Sequence, residues 1–344
     1  MDLLKDLLKP LAEDGAALTR EQAGAVLRQI LTGDVPDVEI TALLTVLATR
    51  GEQAPELAGF VDVMRANAVP LPLSDEERNS LVDTCGTGGG GPLTFNISSG
   101  AAIVATAAGA RVAKHGNRAV TSLAGSADVL EALGVRIELE PREVPRVLEE
   151  AGLAFLFAPG FHPAMRHAAP VRRELAMTTI MNLLGPLANP AGVVRQVLGV
   201  ADRRRAPLLA EALRLLGCRH ALVVHADVGM DEVSPVGCTH VWEVTSAGVS
   251  DWRLDPRELG VTGGALEALA GGEPDENAAR LGAILSGDER GAACDAMLLN
   301  AAAALYVSGR GWSLPQSMEE ARRSLANGAA RQSLERLRRA APRS

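Results

Sequence analysis

The run Asp83-Thr84-Cys85-Gly86-Thr87-Gly88-Gly89-Gly90-Gly91, with Thr94, Asn96, Ser98 and Ser99 behind it, is the segment of this chain best suited to hold an anion. Glycines lack a Cβ, so successive backbone N–H groups can converge on one point, and a helix beginning at the serines adds partial positive charge. Phosphate oxygens fit such a place. The P-loop lysine and the G-x-G-x-x-G spacing are both absent. A flexible spacer is the plain alternative, but a strand before and a capped helix after are unusual for one. Ser98 and Ser99 would also serve as ordinary N-cap residues.

A second cluster, Lys114-His115-Gly116-Asn117-Arg118 with Thr121, Ser122, Gly125 and Ser126, again stands where a strand pattern gives way to a helix pattern. Its amine, amide and hydroxyls could hold a pyrophosphate and a ribose phosphate through charge-assisted hydrogen bonds. His115 alone reads as a packed or capping histidine, with no carboxylate nearby in sequence. Asp231-Glu232 follows His225-Ala226-Asp227 and a turn at Gly229. Adjacent carboxylates suit magnesium, which takes one or two of them along with water and substrate oxygens; an exposed acidic turn is the alternative. The fourth group, Phe161-His162-Pro163-Ala164-Met165-Arg166-His167 with Arg172, Arg173 and Glu174, gathers Arg and His in an otherwise acidic chain. A guanidinium there could take a substrate carboxylate, or these could be surface helices.

Something must carry these groups. Residues 1–72 read as helices: Thr19 and Gln22 form a capping box, Asp37 is a further cap, and Pro55 stands near the start of a third apolar stripe. Val69-Pro70-Leu71-Pro72-Leu73 breaks the pattern and is the expected boundary and hinge. From 73 to 344 short apolar runs alternate with helical ones: strands at 81–85, 111–114, 135–139, 153–158, 194–200 and 220–226, then an antiparallel pair over 239–254 and helices over 275–341. The expected class is therefore α/β, a small all-helical N-terminal domain plus a larger domain whose mostly parallel central sheet is flanked by helices. In such a sheet the loops at the carboxyl edge, where the two glycine-bearing clusters lie, are where ligands bind.

Composition narrows the function. A formal charge of −8 opposes adhesion to nucleic acid or to an anionic membrane, and 3% aromatic residues leave little for a base-stacking platform. Cys85, Cys218, Cys238 and Cys294 are far apart and read as reduced thiols. The acidic start MDLLKDLLKPLAEDG lacks the basic, apolar character of a signal peptide, so a cytoplasmic protein is expected.

Taken in order, GTGG with TFNIS, KHGNR, GSADVLEALG, FAPGFHPAMRHAAPVRREL, NLLGPLANP and the DE pair resemble the anthranilate phosphoribosyltransferases of tryptophan biosynthesis over most of the chain. The resemblance implies transfer of the 5-phosphoribosyl group from phosphoribosyl pyrophosphate (PRPP) to the amino group of anthranilate. It implies a PRPP site of Gly86, Gly89, Gly90, Thr94, Asn96, Ile97, Ser98 and Ser99, together with Lys114, His115, Gly116, Asn117, Arg118, Ala119, Val120, Thr121, Ser122 and Ser126. Ser98, Asp231 and Glu232 would hold two Mg2+ ions. Gly86, Asn117 and Arg172 would receive anthranilate, with His115, His162 and Met165 along its channel, and Lys114, Asn117 and Arg172 would be the catalytic groups. Part of 161–184 would rejoin the helical domain, the chain would pair as a homodimer through that domain, and anthranilate synthase is a further partner to test. One departure stands out: the family usually has Asp where Gly90 stands, which implies altered magnesium dependence; Ser99 replaces a common Thr and keeps the hydroxyl. Two other classes compete. A pyrimidine nucleoside phosphorylase would cleave thymidine or uridine with phosphate, and a nucleic-acid-binding relative would need a basic groove.

Overall fold

The computed structural model describes residues 3–89, 91–119 and 123–343. Its N-terminal part is built of α1 (Leu3–Glu13), α2 (Arg20–Thr32), α3 (Asp37–Arg50) and α4 (Ala54–Ala66). The Thr19–Gln22 capping box forms in both directions, and Gly33 closes α2 at φ +84°. Asp37 is not the cap expected of it: Pro36 holds that position, and Asp37 lies with Glu39 in the first turn, where negative charge still favours the helix dipole.

Then come α5 (Asp75–Ser80), β1 (Leu81–Gly86), α6 (Ile97–Ala107), β2 (Arg111–Gly116), α7 (Ser126–Ala132), α8 (Val144–Ala151) and β3 (Leu153–Phe157). The chain continues through α9 (Ala158–Phe161), α10 (Ala169–Leu175), α11 (Ile180–Leu187), β4 (Arg195–Gly199), α12 (Ala206–Leu215), β5 (His220–Ala226), β6 (Thr239–Thr245) and β7 (Gly248–Leu254). It closes with α13 (Pro274–Ser286), α14 (Ala292–Val307), α15 (Leu314–Ala326) and α16 (Ala329–Ala340).

The strands form one sheet in the order β3-β2-β1-β4-β5-β6-β7. The first five are parallel and the last two antiparallel. This is the mostly parallel α/β sheet the alternating pattern called for. The order reverses between β1 and β4, which opens a crevice above their carboxyl ends. Along β4 and β5 successive side chains serve opposite faces: Val197, Leu222 and Val224 join the core with α6 and α14, whereas Leu198, Ala221 and Val223 join the one with α2, α4 and α12. The sheet is thus the middle of three layers, and α14, buried along nearly its whole length, is the centre of one of them.

No strand forms over 135–139, contrary to the sequence expectation. Val135, Ile137 and Leu139 are buried in alternation, but the segment lies against the C-terminal residues, with a bridge from Val135 to Pro342 and Arg136 N–H donating to Ala341 O at 2.8 Å. Alternation records two-sided burial, which a pairing too short to be a strand supplies equally well.

Ala168, Val171, Ile180, Met181, Leu183 and Leu187 of α10, α11 and the turns beside them are buried with the N-terminal helices. The chain therefore passes three times between helical layer and sheet, near 69–73, 158–162 and 188–193. The passages lie together. Val69 N–H donates to Phe161 O at 2.9 Å, and the Arg78 guanidinium donates to Leu71 O (2.7 Å), Leu73 O (3.2 Å) and Ala191 O (2.9 Å).

Candidate active site

At the reversal of strand order, Gly86 ends β1 beside Gly199 at the end of β4. Across both lies the loop carrying Asp231. A Cβ on Gly199 would run into the Asp231 carbonyl oxygen, and one on Gly86 would come within 2.9 Å of its carboxylate. Glycine is required here for close approach and not for a turn. Farther along, Thr94 Oγ1 donates to Glu232 Oε2 at 3.3 Å, which ties the first glycine-bearing turn to the acidic pair. Asn300 of α14 fixes the next peptide, accepting from Val233 N–H (3.0 Å) and donating to Val233 O (2.8 Å).

The second turn leaves β2 after Gly116. Lys114 points inward from β2, is 2% exposed, and its Nζ donates to Thr84 O, to Ser98 Oγ at 3.2 Å and to Thr84 Oγ1 at 3.4 Å. Asn96 Nδ2 donates to Ala124 O at 3.0 Å. These two links hold the glycine-bearing turns side by side. Asp128 of α7 accepts from the N–H groups of Ala119 and Gly125, both at 2.9 Å, and shapes the second turn from beneath.

Burial governs the charges. Asp83 is fully buried in β1, where desolvation pushes its carboxyl up to about 6 despite the Lys114 cation and bonds from Asn189 Nδ2 (2.8 Å) and His115 N–H (3.1 Å). Burial likewise draws the Lys114 amine below its ordinary value, opposed chiefly by Asp83. Asp231 and Glu232 are both raised by desolvation, Glu232 also by the Asp231 charge beside it. With Ser98 and Asn300 they border a cavity of about 60 Å³. Two desolvated carboxylates repelling one another favour a bound cation, and these hard oxygen donors fit Mg2+. Among the described residues no three carboxylate, imidazole or thiol groups converge on one point, so the metal's remaining positions would go to water and ligand oxygens.

Cys85 and Gly86 border this cavity and also a larger one of about 520 Å³ lined by His115, Asn117, His162, Met165 and Arg172. His115 Nδ1 lies 3.1 Å from Gly185 O; a carbonyl only accepts, so Nδ1 carries the proton. Burial, with His162 next, lowers the His115 imidazole to about 3 and keeps it neutral. Its ring meets that of His162 edge-on at 5.2 Å. The Arg172 side chain, exposed on α10, forms no hydrogen bond or ion pair among the described residues. The Cys85 thiol is pushed well up by burial, which makes it a wall and not a nucleophile.

The structure thus gathers Ser98, Asp231 and Glu232 at the small cavity, and Gly86, His115, Asn117, His162, Met165 and Arg172 at the large one. Thr94, Asn96, Lys114, Gly116 and Ser126 lie in or between the two turns, and Gly89 takes a positive φ of 82° within the first. Three expected contacts are otherwise engaged, and a fourth, Ser99, is withdrawn from the surface. Ile97 is fully buried and its N–H donates to Phe95 O at 2.7 Å. The Ser99 hydroxyl is buried. Arg118 is held by Asp128 and Glu131, both at 2.9 Å, and the Ala119 N–H by Asp128. Gly90, Val120, Thr121 and Ser122 lie outside the described residues. Sequence reasoning gave no role to Asp83, Asn189, Asn277 and Asn300. Of these Asp83 had a signal, a charge in the middle of an apolar strand.

Two family models match the chain: the glycosyl transferase family helical bundle domain over residues 5–68 and the glycosyl transferase family a/b domain over 78–331. The anthranilate phosphoribosyltransferase of Roseiflexus castenholzii is 50% identical over 324 residues, 94% of each chain. That of Rubrobacter xylanophilus is 47% identical over 334 residues, 97% of this chain and 96% of the relative. The crystal structure of the Thermus thermophilus anthranilate phosphoribosyltransferase superposes with a TM-score of 0.90 at 46% identity and 98% coverage of both chains. The Saccharomyces cerevisiae enzyme in complex with PRPP and Mg gives 0.87 at 30% identity, covering 98% of this chain and 97% of the other.

Proposed function

The chain belongs to the anthranilate phosphoribosyltransferase family, and from that premise we propose that PRPP lies on the two glycine-bearing turns and anthranilate in the larger cavity beside them. The enzyme transfers the 5-phosphoribosyl group of PRPP to the amino nitrogen of anthranilate, giving N-(5-phosphoribosyl)anthranilate and pyrophosphate in L-tryptophan biosynthesis, and it uses Mg2+. One observation carries the assignment of substrates to cavities. The two cavities share Cys85 and Gly86, so a ribose C1 reaching that junction from the phosphate side meets an amine arriving from the other.

The amino group of anthranilate is neutral at cytoplasmic pH and already nucleophilic, so this chain's work is positioning and charge stabilisation. Bond breaking leaves negative charge on pyrophosphate. The Lys114 ammonium, fixed by Thr84 and Ser98, is the group of this chain that would meet that charge. Asp83 holds β2 through His115 N–H and supports the Lys114 cation from behind. Ser98, Asp231 and Glu232 are the groups that would hold magnesium, two ions in our reading. When bound, the metal neutralises charge on the departing diphosphate. The Arg172 guanidinium, with no partner among the described residues, is free to take the anthranilate carboxylate in bidentate fashion, while neutral His115 and His162 close the cavity wall without adding charge. We further propose a cytoplasmic homodimer formed through the helical layer; association with anthranilate synthase is testable by co-purification. No helix among the described residues is long and apolar enough to cross a membrane.

Purified protein mixed with anthranilate, PRPP and Mg2+ should consume anthranilate fluorescence, and omission of metal should stop it. Absence of turnover with all three present, or phosphorolysis of thymidine or uridine in its place, would end this reading.

A further inference from the structure

Asn96 stands at the N-cap of α6, the position where asparagine ordinarily accepts a hydrogen bond from the helix start, yet it makes no such cap. Its amide is used elsewhere. Nδ2 donates to Ala124 O in the second turn, and Oδ1 accepts from Asn277 Nδ2 at 2.9 Å. Asn277, in the first turns of α13, is 3% exposed and fully bonded: Oδ1 accepts from Gly272 N–H at 2.8 Å and Nδ2 also donates to Gly272 O at 3.1 Å. Because the Gly272 N–H can only donate, the Asn277 oxygen must face it and the NH2 group must face Asn96. Asn96 must then turn its oxygen to Asn277 and its NH2 to Ala124. The bonds run in one direction, from α13 to the second phosphate turn, with no freedom to flip.

The surroundings press the same segment into place. Thr94 bridges to Ala270, Phe95 N–H donates to Leu269 O at 3.0 Å, and Gly271 N–H donates to Leu93 O at 3.0 Å. A Cβ on Gly271 would strike Thr94 O. From α13, Arg280 lies 4.9 Å over the Phe95 ring and donates to Ala270 O at 2.9 Å.

We propose that Asn277 is a positioning residue for PRPP: through Asn96 it sets the spacing and polarity of the two phosphate turns, though it touches no substrate itself. The proposal rests on the placement of PRPP given above. An Asp at this position would keep the acceptor for Gly272 but lose both donors, so Asn96 would have to reverse and set its oxygen against Ala124 O.

Binding of PRPP by calorimetry and steady-state kinetics test it on Asn277→Ala, Asn277→Asp, Asn96→Ala and the Asn96→Ala/Asn277→Ala double variant. Of the three bonds that Asn277→Ala removes, loss of the one to Asn96, with Asn96 left unpaired, should weaken PRPP binding about 5- to 30-fold. Asn277→Asp should lose at least as much, while the KM for anthranilate stays within about threefold, inside the experimental spread for an uncoupled site. The double variant should bind PRPP no worse than Asn96→Ala alone. Additive losses in the cycle, unaltered PRPP binding in Asn277→Asp, or equal losses for both substrates would overturn the proposal. If Asn96→Ala itself binds PRPP normally, the placement of PRPP is at fault instead. Should Asn277→Asp fail to fold, Asn277→Ser, whose shorter side chain falls short of Asn96, carries the same expectation.

Discussion

Replacing Arg172 by alanine isolates the recognition of anthranilate from everything else the cleft does. The Arg172 side chain is exposed and has no hydrogen-bond or ion-pair partner among the described residues, so truncation leaves no protein group unpaired. Stability should change by no more than about 0.5 kcal/mol, the range for surface positions. Its guanidinium borders the 520 Å³ cavity and not the small one between the acidic pair and Ser98. A charge-assisted bond to a carboxylate contributes about 1.5–3 kcal/mol, which corresponds to a roughly 10- to 150-fold fall in kcat/KM for anthranilate. Exposure to water puts the expectation in the lower half of that range. Arg172→Lys keeps the charge without the planar fork and should fall between the parent and the alanine variant. The assay is loss of anthranilate fluorescence with each substrate varied in turn at saturation of the other, alongside a melting curve. Equal losses for anthranilate and PRPP, or a large drop in melting temperature, would refute the division of labour between the two cavities.

Gly199→Ala should abolish magnesium-dependent turnover, because its methyl group meets the Asp231 carbonyl and must displace the acidic loop; activity against Mg2+ concentration reads this. His115 should make the protein acid-sensitive: its folded-state value of about 3 lies below the unfolded one, so stability present above about pH 6.5 is lost as the unfolded chain takes up a proton, by about 2 kcal/mol at pH 5. Urea melts of parent and His115→Gln at pH 7.5 and 5 should show the variant losing less, and parallel losses would count against a buried neutral imidazole. Gly90→Asp, which restores the carboxylate usual in the family, should shift the magnesium dependence of turnover, and an unchanged profile would show that the departure at this position has no bearing on the metal.

The glycine-bearing turns and the acidic pair, as places at the carboxyl edge of the sheet, were legible because local chemistry announces them. Glycines in series after an apolar strand, Lys-His-Gly-Asn-Arg after another, and adjacent acids after a third each have few other uses. Arg172 was legible only as an arginine in an acidic chain, and its place across the cleft from Gly86 came from the family pattern. The residues that hold the turns together were silent. Asn277 looks like any polar residue early in a helix, and its partner Asn96 is far away in sequence, so no window along the chain could pair them. Asp83 was visible as a buried charge in β1, but its bonds to Asn189 and His115 join three separate segments. The strand expected at 135–139 failed for a related reason: Val135, Ile137 and Leu139 record burial, while their neighbour, the end of the chain, leaves no trace in the local pattern.

The three neighbouring passages joined by Val69, Phe161 and Arg78 are placed like the knuckles of a door hinge. One connection would let the helical layer twist and slide as well as swing, whereas three bound to one another would limit it largely to swinging about the place where they meet. Arg172 belongs to the helical leaf and the glycine-bearing turns to the sheet, so with the substrates placed as proposed above, any swing would carry the aromatic acid toward the ribose. A protease nicking one knuckle would leave both leaves attached.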